Sequence, residues 1–205
     1  MIKRLFDIAF SSIGLFASVP FLMVIAGLIK IEDPRGPIFY RGLRIGRYGK
    51  PFRIYKFRTM SLNAEEVGGP STALNDPRLT RVGKFLRKYK LDEIPQLINI
   101  LLGEMSFVGP RPQVEQYTRL YNDKEKVILS VRPGLTDYAS VKFLNLDEIL
   151  GDGDVDEKYF RQVEPEKNML RIKYVKECSF WVDLTIILKT VLSLFRIRRA
   201  WNTQN

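Results

Sequence analysis

The hydrophobic pattern is uneven along the chain, and its strongest feature comes first. From Leu5 to Ile29 the sequence is largely apolar, interrupted by Asp7, Ser11, Ser12, Ser18 and Pro20. As a helix, this run would be about 37 Å long, enough for a bilayer core of about 30 Å. It continues past Pro20 through Phe21-Leu22-Met23, and no small-x-small site precedes a polar start, so it does not read as a cleaved signal. Pro20 lacks an amide hydrogen and its ring crowds the carbonyl of Phe16, which predicts a break there. The hydroxyls of Ser11, Ser12 and Ser18 are suited to bond carbonyls released near it.

Beyond Asp33 the pattern becomes short-ranged. Pro34-Arg35-Gly36-Pro37, Gly42, Gly46 and Tyr48-Gly49-Lys50-Pro51 are turn signals, and Ile38-Phe39-Tyr40 and Phe52-Arg53-Ile54-Tyr55 between them read as short strands. Asn63 to Pro77 is polar and reads as a loop, and Thr80 to Lys88 as a short basic helix. Pro95 to Leu102 continues a helix whose first turn holds Asp92 and Glu93, with Asp92 as N-cap, Leu97, Ile98 and Leu101 on one face and Gly103 as the stop. Gln113 to Ser130 predicts a second helix, ended by Val131-Arg132-Pro133-Gly134. Phe180 to Phe195 predicts another, flanked by Trp181 and Trp201 and followed by Arg196, Arg198 and Arg199, suited to a membrane surface or to the core. With no repeat or linker visible, the expected fold is α/β and mainly helical. A membrane-inserted helix at 1–30, broken near Pro20, precedes a single domain with interfacial helices at 31–205.

Charge refines this picture. The chain of 205 residues carries 33 Lys+Arg against 23 Asp+Glu, a net +10. Such an excess suits nucleic acid, an anionic membrane or a phosphorylated substrate. Lys3 and Arg4 precede the apolar run, and nine basic residues from Lys30 to Arg58 follow it against Glu32 and Asp33. The positive-inside rule places both flanks on the cytoplasmic side, which favours a re-entrant helix over a straight span. The basic residues are scattered among structural motifs, and no zinc, helix-turn-helix or aromatic RNA-binding signature accompanies them, so no nucleic-acid partner is expected.

The chain has no histidine, which excludes His-based triads, His-Cys zinc sites and a histidine base. The single Cys178 forms no internal disulfide and suits a reducing compartment. The acidic run Asp147 to Glu157 fails as a calcium loop: counted from Asp152, the glycine and glutamate positions hold Glu157 and Val163.

The remaining chemistry centres on Asp92-Glu93. By itself such a pair is most often a helix cap. Here it follows Arg87-Lys88-Tyr89-Lys90, and basic groups at a helix start favour ionised carboxylates and gather phosphates. An ionised aspartate can attack phosphorus, with Glu93 as an orienting or proton-handling partner. Magnesium would let it approach an anionic diphosphate and would stabilise the departing phosphate. Arg111, between Pro110 and Pro112, offers a guanidinium fork for phosphate oxygens; Arg58, Arg87 and Arg132 suit the same task or a structural ion pair.

Four segments in order, Lys56-Phe57-Arg58-Thr59-Met60, Leu91-Asp92-Glu93-Ile94-Pro95-Gln96-Leu97, Met105 to Pro112, and Val131-Arg132-Pro133-Gly134, resemble the motifs of the bacterial sugar transferases. More narrowly, the chain is similar to the small monotopic polyprenyl-phosphate phosphoglycosyl transferases, over nearly its whole length. The resemblance implies a re-entrant helix, broken at Ser18-Val19-Pro20, in the bacterial inner membrane and a catalytic domain on the cytoplasmic face. It implies a magnesium-dependent ping-pong transfer of sugar 1-phosphate from a UDP-sugar to undecaprenyl phosphate. An aspartyl-phosphosugar forms on the way, UMP leaves, and bacterial glycoconjugates such as exopolysaccharide or lipopolysaccharide are thereby initiated. Carried over, Asp92 is nucleophile and magnesium contact, Glu93 its catalytic partner, and Arg58, Arg87, Arg111 and Arg132 bind substrate phosphates. A homodimer is compatible with this reading, and a non-enzymatic scaffold of a glycan-assembly complex is its alternative. Two departures stand out. Many relatives place serine directly before the helix-breaking proline, and many read Thr-Gly-Trp where this chain has Thr136-Asp137-Tyr138. The donor sugar is therefore not carried over.

Overall fold

The computed structural model describes residues 2–62, 64, 76–143, 146 and 155–202, with side chains at 2–62, 64, 76–143, 146 and 157–193. Most of the 63–77 loop and of the acidic run 147–157 lies outside these residues, as do the side chains of Phe195, Arg196, Arg198, Arg199 and Trp201. The described chain is mainly helical, with strands only in pairs.

Helix α1 (Ile2–Glu32) is one continuous element with Pro20 inside it. The break expected at Pro20 is therefore not a gap in the helix. Proline removes a single donor, and the turns on either side keep their own hydrogen bonds. Ser11 Oγ donates to the Asp7 carbonyl at 2.6 Å and Ser18 Oγ to that of Leu15 at 3.1 Å, neither to that of Phe16. By length and composition α1 can cross a membrane: its best window has a mean hydropathy of 2.2, and only 11% of that window is buried.

Both ends of α1 are tied to the rest of the molecule. Lys3 Nζ donates to the Val108 carbonyl at 2.8 Å and pairs with Asp183, while Arg4 donates to the carbonyls of Ile100 and Leu101. Buried Asp7 accepts from Ser106 Oγ and the Phe107 amide, both at 3.1 Å. At the other end Glu32 accepts from the amides of Arg81 and Val82. Between these anchors Ile13, Phe16, Val19, Phe21, Met23 and Val24 stay exposed.

Four short strands follow: β1 (Phe39–Tyr40), β2 (Leu43–Ile45), β3 (Pro51–Arg53) and β4 (Lys56–Phe57). They pair antiparallel as β1 with β4 and β2 with β3. Helix α2 (Arg81–Lys88) starts as expected, with Thr80 Oγ1 accepting from the Gly83 amide at 2.9 Å. Helix α3 (Gln96–Leu102) ends at Gly103 in the left-handed region. Strands β5 (Ser106–Val108) and β6 (Gly134–Thr136) form a parallel pair that periodicity did not reveal. The predicted helix 113–130 is instead α4 (Glu115–Thr118) and a 3-10 stretch Glu125–Ser130. Asn122 separates them, its side chain accepting from the amides of Lys124 and Glu125. Helices α5 (Tyr138–Lys142), α6 (Val155–Lys158), α7 (Glu164–Glu177) and α8 (Phe180–Asn202) complete the chain, a π-turn Tyr159–Val163 joining α6 to α7.

Two apolar clusters position the site. Ile25 and Ile29 of α1 pack with Phe57 of β4 and Leu86 of α2, and Leu91 closes against them. Phe52, Ile54, Ile100 and Met105 form the second, beneath α3. The first cluster holds the residues adjoining Lys56 and Asp92 directly against α1.

Candidate active site

Asp92 and Glu93 do not cap α3. They lie in a separate 3-10 turn, Leu91–Glu93, and Pro95 occupies the N-cap position without a side-chain bond. Lys90, at φ 56°, turns the chain sharply out of α2. This turn sends the Asp92 side chain inward, where it is 5% exposed. A cap bonds its own helix; these carboxylates face other elements instead.

Lys56, on β4, is the central cation. Its Nζ is 2.8 Å from Glu93 Oε1 and 3.8 Å from Asp92 Oδ2. Arg111 pairs with the same Glu93 oxygen and donates to the Leu135 carbonyl at 3.2 Å. Burial acts to lift the Glu93 carboxyl, but Arg111 and then Lys56 outweigh it and hold it well below the usual carboxylate range. Asp92 moves the other way. Burial raises its pKa, Lys56 offsets this only in part, Glu93 adds to the rise, and Arg87 and Arg111 oppose it. Glu93 is thus a fixed anion locked between two cations, and Asp92 is the member of the pair whose charge responds to its surroundings.

Of the predicted arginines, the structure brings Arg111 and Arg87 to the pair, Arg111 by direct contact with Glu93 and Arg87 through its field at Asp92. Arg58 goes elsewhere: its Nη1 is 2.8 Å from Asp33 Oδ2 and its Nη2 donates to the Asp33 carbonyl, tying the end of α1 to β4. Arg132 is also separate. Its Nε donates to the Gly103 carbonyl at 2.8 Å, at the far end of α3 from the Asp92 turn.

The Arg111 loop is held from two sides. Gly109 and Gly134 abut, the Gly134 amide donating to the Pro110 carbonyl at 3.0 Å and that of Gly109 to the Thr136 carbonyl at 3.0 Å. A Cβ on Gly134 would lie 2.1 Å from the Gly109 nitrogen, so only glycine allows the two loops this contact. On the other side Gln113 reaches a buried network. With its carboxamide oxygen toward the guanidinium, it accepts from Arg171 Nη1 at 3.1 Å and Nη2 at 2.5 Å, while Arg171 pairs with Glu164 at 2.7 Å. Fully buried Asp137 accepts from the Arg111 amide at 3.3 Å and caps α5 through the Ser140 amide.

Sequence reading missed Lys56, Asp137 and this network as parts of the site. Lys56 stands in the first motif, but only the pairing of β4 and its packing on the Leu91–Glu93 turn aims it at both carboxylates. Glu164 and Arg171, seven residues apart, share a helix face, and that spacing was a legible signal.

A buried carboxylate pair flanked by cations thus lies close to a helix long and apolar enough to cross a membrane. The bacterial sugar transferase family matches residues 1–197, and the chain belongs to that family. It is 36% identical to the UDP-glucose:undecaprenyl-phosphate glucose-1-phosphate transferase of Escherichia coli K12, over 98% of this chain and 42% of that protein. It is 39% identical to the exopolysaccharide production protein ExoY of Sinorhizobium fredii, over 92% of this chain and 83% of that one. With a putative undecaprenyl-phosphate N-acetylgalactosaminyl 1-phosphate transferase of Bacillus subtilis it shares 44% identity over 60% of its length and 68% of that protein's. The chain thus spans less than half of the Escherichia coli relative and most of the Sinorhizobium one.

Proposed function

We propose that this protein transfers a sugar 1-phosphate from a UDP-sugar to undecaprenyl phosphate through Asp92, at the cytoplasmic face of the bacterial inner membrane. The observation that carries the reading is the Asp92 carboxylate, buried among Lys56, Arg87 and Arg111 and adjoining, through Leu91, the cluster that contains Ile25 and Ile29 of α1. A nucleophile for a nucleotide diphosphate and a site for a lipid-borne acceptor are thereby side by side. The reactions named for the relatives are of this class.

In the first half-reaction an Asp92 carboxylate oxygen bonds to the sugar-bearing phosphorus. The bond from that phosphorus to the bridging oxygen breaks, and UMP leaves with the electron pair. In the second, a phosphate oxygen of undecaprenyl phosphate bonds to the same phosphorus, the acyl-phosphate bond breaks, and Asp92 is restored with undecaprenyl-diphosphate-sugar as product. Lys56 favours the ionised nucleophile and Arg111 meets the transferring phosphate, while Glu93, already bound to both, orients them. Arg87 adds positive field on the Asp92 side.

Among the described residues no three carboxylate, cysteine or histidine side chains cluster around a metal position. Magnesium still fits, because it commonly takes one or two carboxylates and completes its shell from water and substrate phosphates. Asp92 is the residue that would hold it, Glu93 being occupied by Arg111 and Lys56. When bound, magnesium supplies charge neutralisation on the diphosphate.

The test is incubation with a panel of UDP-sugars, magnesium and undecaprenyl phosphate. Sugar-dependent UMP release and a phosphosugar trapped on Asp92 are expected. Asp92→Asn should abolish both, and Lys56→Met should slow transfer at least about 100-fold, the scale for loss of a preorganised charge. Absence of UMP release across the panel, from protein folded in lipid, would sink the reading.

A further inference from the structure

A second polar site lies away from Asp92. A cavity of about 640 Å³ opens where the start of α1 meets the start of α8, lined among others by Ile2, Lys3, Arg47, Arg132, Phe180 and Asp183. We propose that it binds the phosphodiester headgroup of an anionic phospholipid through Arg47 and Arg132. This rests on the reading above that α1 enters the membrane.

Each arginine is clamped by its inner nitrogen. Arg132 Nε donates to the Gly103 carbonyl and Arg47 Nε to that of Ser130, both at 2.8 Å. Among the described residues no hydrogen bond engages the terminal nitrogens of either, so two preorganised forks remain for an anion. The cavity's other charges cancel, since Lys3 pairs with Asp183 at 2.5 Å. The two arginines are therefore uncompensated, which suits one phosphodiester.

The surroundings decide between a lipid and a free phosphate. Ile2 is 68% exposed at the rim, Phe180 lies beside it, and Trp181, the next residue of α8, is 74% exposed. A free phosphate would satisfy the arginines and leave this apolar rim in water, whereas acyl chains would cover it. The arrangement also explains the place of Arg132. It has the chemistry of a phosphate ligand, yet it is tied at the opposite end of α3 from the Asp92 turn.

The experiment uses the full chain purified in a neutral detergent and titrated with phosphatidylglycerol, phosphatidylcholine of the same chains, or inorganic phosphate. Retained lipid is read by native mass spectrometry and stability by thermal melting. Wild type and Asp92→Asn should each retain one phosphatidylglycerol and melt higher with it, but not with the other two. Arg47→Gln, which leaves the Arg132 contact with Gly103 in place, should weaken phosphatidylglycerol binding about tenfold, as should Arg47→Gln/Arg132→Gln or more. Equal retention of phosphatidylcholine, undiminished binding by Arg47→Gln, or the same melting shift from phosphate alone would overturn the proposal. Loss of lipid binding in Asp92→Asn would do so as well, by placing the lipid at the catalytic carboxylate. Transfer activity with no lipid retained would refute this site and leave the proposed function standing.

Discussion

Lys56 and Lys167 show how differently two lysines behave in one interior. Lys56, half-buried, meets two carboxylates. Lys167 on α7 is buried, and its ammonium lies over the rings of Tyr159 and Phe143, 4.7 and 5.5 Å from their centres. Burial, with Arg171 adding repulsion, lowers its pKa to about 8 from the ordinary 10.5. Between those values the unfolded chain holds a proton that the folded one has released, so stability should rise with pH through this window. Below about 8 both states are protonated and the cost of the buried charge is fully present. Lys167→Met should therefore melt higher than wild type at neutral pH, the difference shrinking as pH rises from 8 to 10.5. Melting curves recorded across that range check this, and a pH-independent difference would refute it.

At the scale of elements, α3 organises the site by its two ends. Its start follows the Asp92 turn, and its end is capped by Arg4 and Arg132, which take the carbonyls of Ile100, Leu101 and Gly103. The Arg111 loop is a separate piece, set against β6 by the contact of Gly109 with Gly134. Gly134→Ala forces a methyl to within 2.1 Å of a backbone nitrogen and must part the two loops. We expect roughly 1–3 kcal/mol lost, the usual scale of overpacking, with transfer reduced more than melting alone explains, because Arg111 moves away from Glu93. Denaturant unfolding alongside a transfer assay on the folded fraction separates the two effects; unchanged activity with lowered stability would show that Arg111 holds its place without this contact.

For the whole molecule, the governing fact is that both ends of α1 dock on one body, Lys3 and Asp7 at β5 and α8, and Glu32 at α2. A helix anchored so leaves only its middle to enter a bilayer. Cysteines placed at Ile2 and Arg35 should both react with an impermeant reagent from the same side of the membrane. Labelling from opposite sides would mean that α1 spans, and that the contacts at one of its ends are broken in the membrane.

Much of this was legible in the sequence because it depends on local rules. The apolar length of α1, the short basic helix beginning near Thr80, the glycine stop after α3 and the carboxylate pair following that basic helix are all set within a few residues. The absence of histidine excludes whole classes of chemistry from composition alone. Tertiary structure alone decided the rest, since pairing and burial join residues far apart in the chain. It made Asp92 and Glu93 an inward-facing turn instead of a cap, through Lys90 and the packing of Leu91. It brought Lys56 from 37 residues away to Glu93 and 36 to Asp92. It drew Arg58 to Asp33 and Arg132 to Gly103, and so divided four similar arginines between the carboxylate pair, the end of α1 and a second polar cavity. A guanidinium's composition says only that it seeks an anion or a carbonyl; which one it finds depends on where the fold leaves them.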